Sequence, residues 1–180
     1  VMLIERDLHL VEMTGGRYHA AHLSTGPAIE AIRRAKQKGL RVTCDTAPPY
    51  FALNENEVGD YRTFAKLSPP LRGEDDRRAV AAAVADGTID CIASDHAPHD
   101  QESKRVPFAQ AAAGVIGLET LLPVSLELHH RGEIALLDLL ARTAAARAVE
   151  ACVLLAVDRA PFLVLLEQER RLARYLIELL

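Results

Sequence analysis

Tryptophan is absent from this 180-residue chain, aromatic residues make up 4% of it, and there are only three cysteines. Cys44, Cys91 and Cys152 lie far apart and form no CxxC pair. That argues against a disulfide framework or a structural zinc knuckle, and a reducing cytoplasm fits. No run of about 18 uncharged apolar residues exists, so no membrane span is expected. The opening residues, VMLIERDLHLVEMTGG, lack the basic start, apolar run and small-residue cleavage site of a signal peptide. They also lack an initiator Met and begin in amphipathic helix pattern, as the interior of a longer protein would. Positive charge is not in excess. The 21 basic and 25 acidic residues give a net charge of −4, which offers no electrostatic reason to expect nucleic acid. Lys is scarce, 4 against 17 Arg, which reads as genome composition and not as a binding surface.

What is present is a 49% hydrophobic content, enough for a packed core and incompatible with a wholly disordered chain. The length allows one domain or slightly more. Helix patterns occupy 2–14, 27–38 and 74–86, each closed by Gly. Ser24 or Thr25 is placed to cap the second, with Pro27 in its first turn. Strand patterns occupy 17–24, 41–47 and 88–95. Residues 48–73 read as a long loop, a feature usually tied to function or disorder. Further helices are predicted at 117–132, 134–157 and 162–180, with Pro123 expected to kink or restart the first. Strand, turn, helix, Gly, strand is a parallel crossover pattern, so the fold class is α/β. Functional groups in such sheets gather at the carboxyl ends of strands.

That rule singles out His22, Asp45 and Asp95. Alternation places Tyr18, Ala20 and His22 on one face, and Ile89, Cys91, Ala93 and Asp95 on another. His22 is either a zinc ligand or a buried imidazole bonded to a carbonyl. Asp95 with His96 and His99 can bind metal, move protons and hold an anion, or the Asp can cap a turn beside two exposed His. Arg72 can anchor a carboxylate, although a surface pair with Glu74 is the simpler reading. Cys91 reads as a small core residue, and His129-His130 as surface residues at a helix end. Asp45 has no motif around it.

Four segments then occur in order: AHLST at 21–25, KLSPPLR at 66–72, DGTIDCIASDHAPH at 86–99 and GVIGLETLLPVSL at 114–126. With their spacing, they resemble the C-terminal half of a class I dihydroorotase of the cyclic amidohydrolase superfamily. The bacterial subgroup with LNEN, DYRTF, KLSPPLR and GLETLL is the nearest pattern. The resemblance covers residues 1–147 and leaves 148–180 as a helical tail without family likeness. It implies part of a metal-dependent hydrolase TIM (β/α)8 barrel, with about three of its parallel strands present. It implies His22 and Asp95 as ligands of one or two zinc-class ions, with Asp95 also the catalytic base and acid. His99 falls on the position that holds the substrate carboxylate. Ala113 and Gly114 fall on a backbone segment that touches substrate. Ser68 stands where the wider family has a ring-contacting Asn.

The implied reaction is hydrolysis of the dihydroorotate ring to N-carbamoyl-aspartate in pyrimidine biosynthesis, by metal-activated water. Allantoinase and dihydropyrimidinase are the rivals within the superfamily. A non-catalytic partner of aspartate carbamoyltransferase and an inactive fragment are the rivals outside it. The family's H-x-H metal pair, its bridging residue and its further His have no counterpart here. Two protein ligands remain where a catalytic zinc takes about three. Three strands cannot close a barrel, so an exposed sheet edge, a homo-oligomer or aggregation, and no measurable activity from the chain alone are expected. After residue 148 the sequence EACVLLAVDRAPFLVLLEQ shows no trace of the family's β region.

Overall fold

In the computed structural model residues 1–142 are described, and they alternate amphipathic helices with short strands. Helix α1 (Met2–Thr14) leads into strand β1 (Tyr18–Ala20), helix α2 (Gly26–Gln37) into β2 (Val42–Thr46). A short helix α3 (Pro48–Ala52) and 3₁₀ turns at Glu55–Val58 and Thr63–Ala65 lie within the long loop predicted at 48–73. Helix α4 (Glu74–Asp86) precedes β3 (Cys91–Ile92). Helices α5 (Gln101–Lys104), α6 (Leu118–His130) and α7 (Leu136–Arg142) follow. The rest of the helix expected at 134–157, and the whole tail 148–180, lie outside the described residues.

The three strands form one parallel sheet in the order β1-β2-β3, with Ala20 paired to Cys44 and Asp45 to Cys91. Among the described residues this sheet is open and closes no barrel. The helices cover one face of it. Ala20, Cys44, Thr46 and Ile92 point into this side and are almost wholly buried. Opposite them α2 presents Ala28, Ile29, Ala31, Ile32 and Ala35, and α4 presents Val80, Ala81, Ala83 and Val84. The recurring small residues let helix and sheet approach closely, and each fully buried Ile or Val contributes about 1.5–3 kcal/mol.

Two details depart from the sequence expectation. Thr25 stands at the N-cap of α2 but makes no side-chain cap. The Gly26 amide donates instead to Asp76 of α4 at 2.8 Å, so a carboxylate from the neighbouring helix satisfies the orphan donor. Helix α6 also runs through Pro123 without restarting. No helix among the described residues is long and apolar enough to cross a membrane.

Candidate functional site

Both strand-end residues leave strand geometry. His22 has φ of 55° and Asp95 has φ of 46°, a left-handed conformation that non-glycine residues seldom adopt. Strand β1 accordingly stops at Ala20, earlier than the predicted 24, and β3 spans only Cys91–Ile92. The turn at His22 also corrects the alternation. Ala20 faces the helices, whereas His22 meets Asp45 on the opposite, open side of the sheet. A left-handed residue reverses side-chain direction, which a strict period of two does not anticipate.

The result is a compact polar group at the carboxyl ends of the strands. His22 Nε2 lies 3.6 Å from Asp95 Oδ1. Its Nδ1 lies 3.0 Å from Asp45 Oδ1, and that same oxygen accepts the His22 backbone amide at 2.7 Å. His19 Nε2 contacts Asp45 Oδ2 at 2.9 Å, and His19 Nδ1 contacts the Thr43 hydroxyl at 2.8 Å. Burial raises the Asp45 carboxyl, but the bonds from His22 and His19 outweigh it and hold the group below the ordinary Asp value. Tyr50 adds its hydroxyl, which donates to Pro69 O at 3.0 Å and lies 3.4 Å from Asp95 Oδ2. Burial, then the Asp95 charge, pushes this phenol well above its usual range and keeps it protonated.

His99, Ala113 and Gly114 come together on a second wall. His99 Nε2 lies 3.0 Å from Ala113 O. A Cβ on Gly114 would sit 2.7 Å from both Ala97 Cβ and Ala97 O and 3.1 Å from His99 Nε2, at φ of 138°. Only glycine fits there. Gly114 N donates to Lys66 O at 2.9 Å, which ties this wall to the KLSPPLR loop. Lys104, almost fully buried, donates to Ala112 O at 2.8 Å and to Thr63 O at 3.3 Å. Lys66 crosses the other way to Phe108 O at 2.7 Å and Ala109 O at 3.1 Å. Ser68 lies exposed on this clasped loop, joined to Pro69 by a cis peptide.

Other candidates separate from the group. His96 turns away, and its Nδ1 accepts the amides of Gly117 and Leu118 at 3.0 and 3.1 Å. It caps α6 and does not join a three-residue metal cluster with Asp95 and His99. Glu74 pairs with Arg77 and Arg78, not with Arg72. Arg72 instead buries its Nε without a hydrogen-bond partner among the described residues. Burial, then the charges of Asp45 and Asp90, pushes the Cys91 thiol up to about 11, so it stays neutral. His129 bonds Ile134 O at 3.0 Å and closes the turn after α6, an internal role in place of a surface one.

No sequence motif marks Asp45, His19, Tyr50 or Lys104. Asp45 alone carried a usable signal, an acid near the carboxyl end of the strand predicted at 41–47. His22 and Asp95 offer one imidazole nitrogen and one carboxylate oxygen, donor types that suit a zinc-class ion. Among the described residues no group of three His, Cys, Asp or Glu side chains is arranged to hold an ion alone. The pair therefore fits as part of a metal site without completing one.

No family model matches the chain. A dihydroorotase from Anaplasma phagocytophilum is 48% identical over 142 residues, which is 78% of this chain and 32% of that protein. A dihydroorotase from Desulforapulum autotrophicum is 54% identical over 127 residues, 71% of this chain and 30% of that one. The chain thus spans about a third of the length of these relatives. Among solved structures, a dihydropyrimidinase from Brevibacillus agri superimposes with a TM-score of 0.72 at 25% identity, over 78% of this chain and 32% of the other. An L-hydantoinase (dihydropyrimidinase) from Arthrobacter aurescens gives 0.72 at 28% identity, over the same shares. A chain half-identical in sequence to dihydroorotases, folded as an open part of the TIM-barrel wall of their hydantoinase cousins, belongs to the dihydroorotase family of the cyclic amidohydrolase superfamily.

Proposed function

We propose that the described residues form one side of a cyclic amide hydrolase site, and that the complete protein opens the ring of dihydroorotate to N-carbamoyl-aspartate. The observation that carries this is the 3.6 Å approach of His22 Nε2 to Asp95 Oδ1, at strand ends, beside a wall built by His99, Ala113 and Gly114. Relatives named dihydroorotase are 48–54% identical, against 25–28% for the dihydropyrimidinases, which favours dihydroorotate over their substrates.

In this reading His22 and Asp95 are two ligands of a divalent ion, zinc by donor type. Such an ion, when bound, polarises the ring amide and lowers the pKa of water toward about 7. Asp95 takes the proton of the attacking water and returns it to the leaving ring nitrogen. Tyr50 places its hydroxyl 3.4 Å from Asp95 Oδ2 and, being protonated, adds no competing charge. His99 meets the substrate carboxylate, with the Ala113–Gly114 backbone along the ring. The Ser68 hydroxyl takes a ring contact from the far loop.

Two ligands on an open sheet fix an ion poorly, so the 180-residue chain alone is expected to show no turnover. The test mixes the purified chain with a polypeptide carrying the remaining barrel strands of a dihydroorotase relative, adds zinc, and follows loss of the dihydroorotate ring. Turnover is expected in the mixture, and none when Asp95→Asn is used. Undiminished turnover with Asp95→Asn overturns the assignment of Asp95.

A further inference from the structure

Asp45 stands at the centre of the polar group, yet it has no place in the chemistry just described. Its two oxygens divide the work. Oδ1 faces the backbone amide and ring Nδ1 of His22, at 2.7 and 3.0 Å. Oδ2 faces His19 Nε2, at 2.9 Å. An ionised carboxylate only accepts hydrogen bonds, so each nitrogen turned to it must carry the proton. The order then runs one way along the chain of contacts. The Thr43 hydroxyl donates to His19 Nδ1 at 2.8 Å, His19 Nε2–H donates to Oδ2, and the His22 amide donates to Oδ1, with the His22 ring Nδ1 3.0 Å from that same oxygen. No contact in this sequence sets donor against donor.

We propose that Asp45 is a positioning residue that fixes His22 in its Nδ1–H tautomer and pins its left-handed backbone, so that Nε2 is the acceptor nitrogen turned to Asp95. The inference rests on the metal-ligand reading of His22 for its purpose, but not for its geometry. A ligating imidazole needs its ring direction and tautomer set by the partner of its other nitrogen. Here one oxygen faces both, because it accepts the main-chain amide and lies 3.0 Å from the ring Nδ1 of the same residue. The carboxylate is itself held on its second oxygen by His19, so it cannot swing away without breaking that contact. His22 alone has a φ of 55°, which costs of order 1–3 kcal/mol unless its surroundings enforce it. The amide bond to Asp45 Oδ1 and the bond from Leu23 N to Asp45 O at 2.9 Å supply that enforcement.

The test is a two-bond proton–nitrogen NMR correlation on the chain with labelled histidine, with His22 identified by the signal lost in His22→Gln. The spectrum is taken above the pH at which the ring has lost one of its two protons. An Nδ1–H pattern for His22 is expected, and an Nε2–H pattern overturns the proposal. This measurement uses the unsubstituted chain, so it stands even where a variant fails to fold. In Asp45→Ala, His22 is expected to shift to the Nε2–H form that a free imidazole prefers. Retention of Nδ1–H in a folded Asp45→Ala overturns the proposal. Thr43→Val, which disturbs the same face and leaves the carboxylate, is expected to keep the Nδ1–H form, and a switch there assigns the effect to the face and overturns the role of Asp45. Adding zinc to the unsubstituted chain mixed with the polypeptide that carries the remaining barrel strands tests the metal reading separately. An Nδ1–H His22 whose Nε2 resonance ignores zinc leaves Asp45 in its role and removes the ion.

Discussion

The two faces of the sheet are built from neighbouring residues on opposite principles. On the helix side Ala20, Cys44, Thr46 and Ile92 are 0–3% exposed and packed against Ile29, Ile32, Val80 and Val84. On the open side stand His19, Thr43, Asp45 and, past the strand end, His22, joined by contacts of 2.7–3.0 Å. The His19 side chain is 44% exposed. The first face gains its stability from apolar burial, which is tolerant of detail. The second gains geometry, in which each polar atom needs a partner at the right place.

Substitutions can break this contrast. The largest effect is expected from Asp95→Asn in the reconstituted assembly. Loss of a general acid–base costs about 10²–10⁴-fold in turnover, while melting of the chain should barely change. On the helix side the order reverses. Ile92→Ala, at a position with no exposure, should cost about 2–5 kcal/mol in chemical denaturation. It should leave the His22 and Asp95 resonances near their places if the faces are independent. A large movement of those resonances would show that packing sets the site.

Gly114→Ala sharpens the comparison on the loop wall. Its Cβ would lie 2.7 Å from Ala97 atoms at a backbone angle unsuited to alanine. A cost of about 1–3 kcal/mol is expected, with His99 freed from Ala113, visible as a shift of the His99 ring signals. Thr43→Ala, on the open face, should cost no more than about 0.5–1.5 kcal/mol, the worth of one hydrogen bond.

The smallest effect concerns Glu74 at the start of α4. Bonds from Arg77, Asn54 and Arg78 hold its carboxyl well below the ordinary Glu value. A group depressed in the folded state stabilises above its unfolded pKa, about 4.3, and that contribution fades as pH falls toward the folded value. Glu74→Gln should therefore be less stable than the parent at pH 7, with the gap closing progressively below about pH 4. Equal gaps at pH 7 and pH 3 would show that Glu74 acts through something other than its charge.

Much of this was legible in the sequence because it depends on local pattern. Helix α4 begins and ends where the acids at 74–76 and Gly87 place it. Strand β2 lies inside the predicted 41–47. Glycine stops and β-branched or small apolar runs act over a few residues, so the chain declares them locally. The order and spacing of the four motif segments are likewise written in the chain, and the structure brings His22 to Asp95 and His99 to Ala113. The short helical turns inside the long loop 48–73 were not legible, because they rest on partners distant in sequence, such as Tyr50 reaching Pro69 and Glu55 donating to Arg72 O.

Tertiary structure alone decided which polar groups meet. His96 and Asp95 are adjacent in sequence, yet one caps α6 and the other faces His22. Asp45 and His22 are 23 residues apart and share an oxygen at 2.7 Å. The reversal of His22 onto the open face follows from one backbone angle that no periodicity encodes. Side-chain direction at a strand end is set by the partner that receives it, and that partner arrives only when the parallel crossover brings β2 alongside β1.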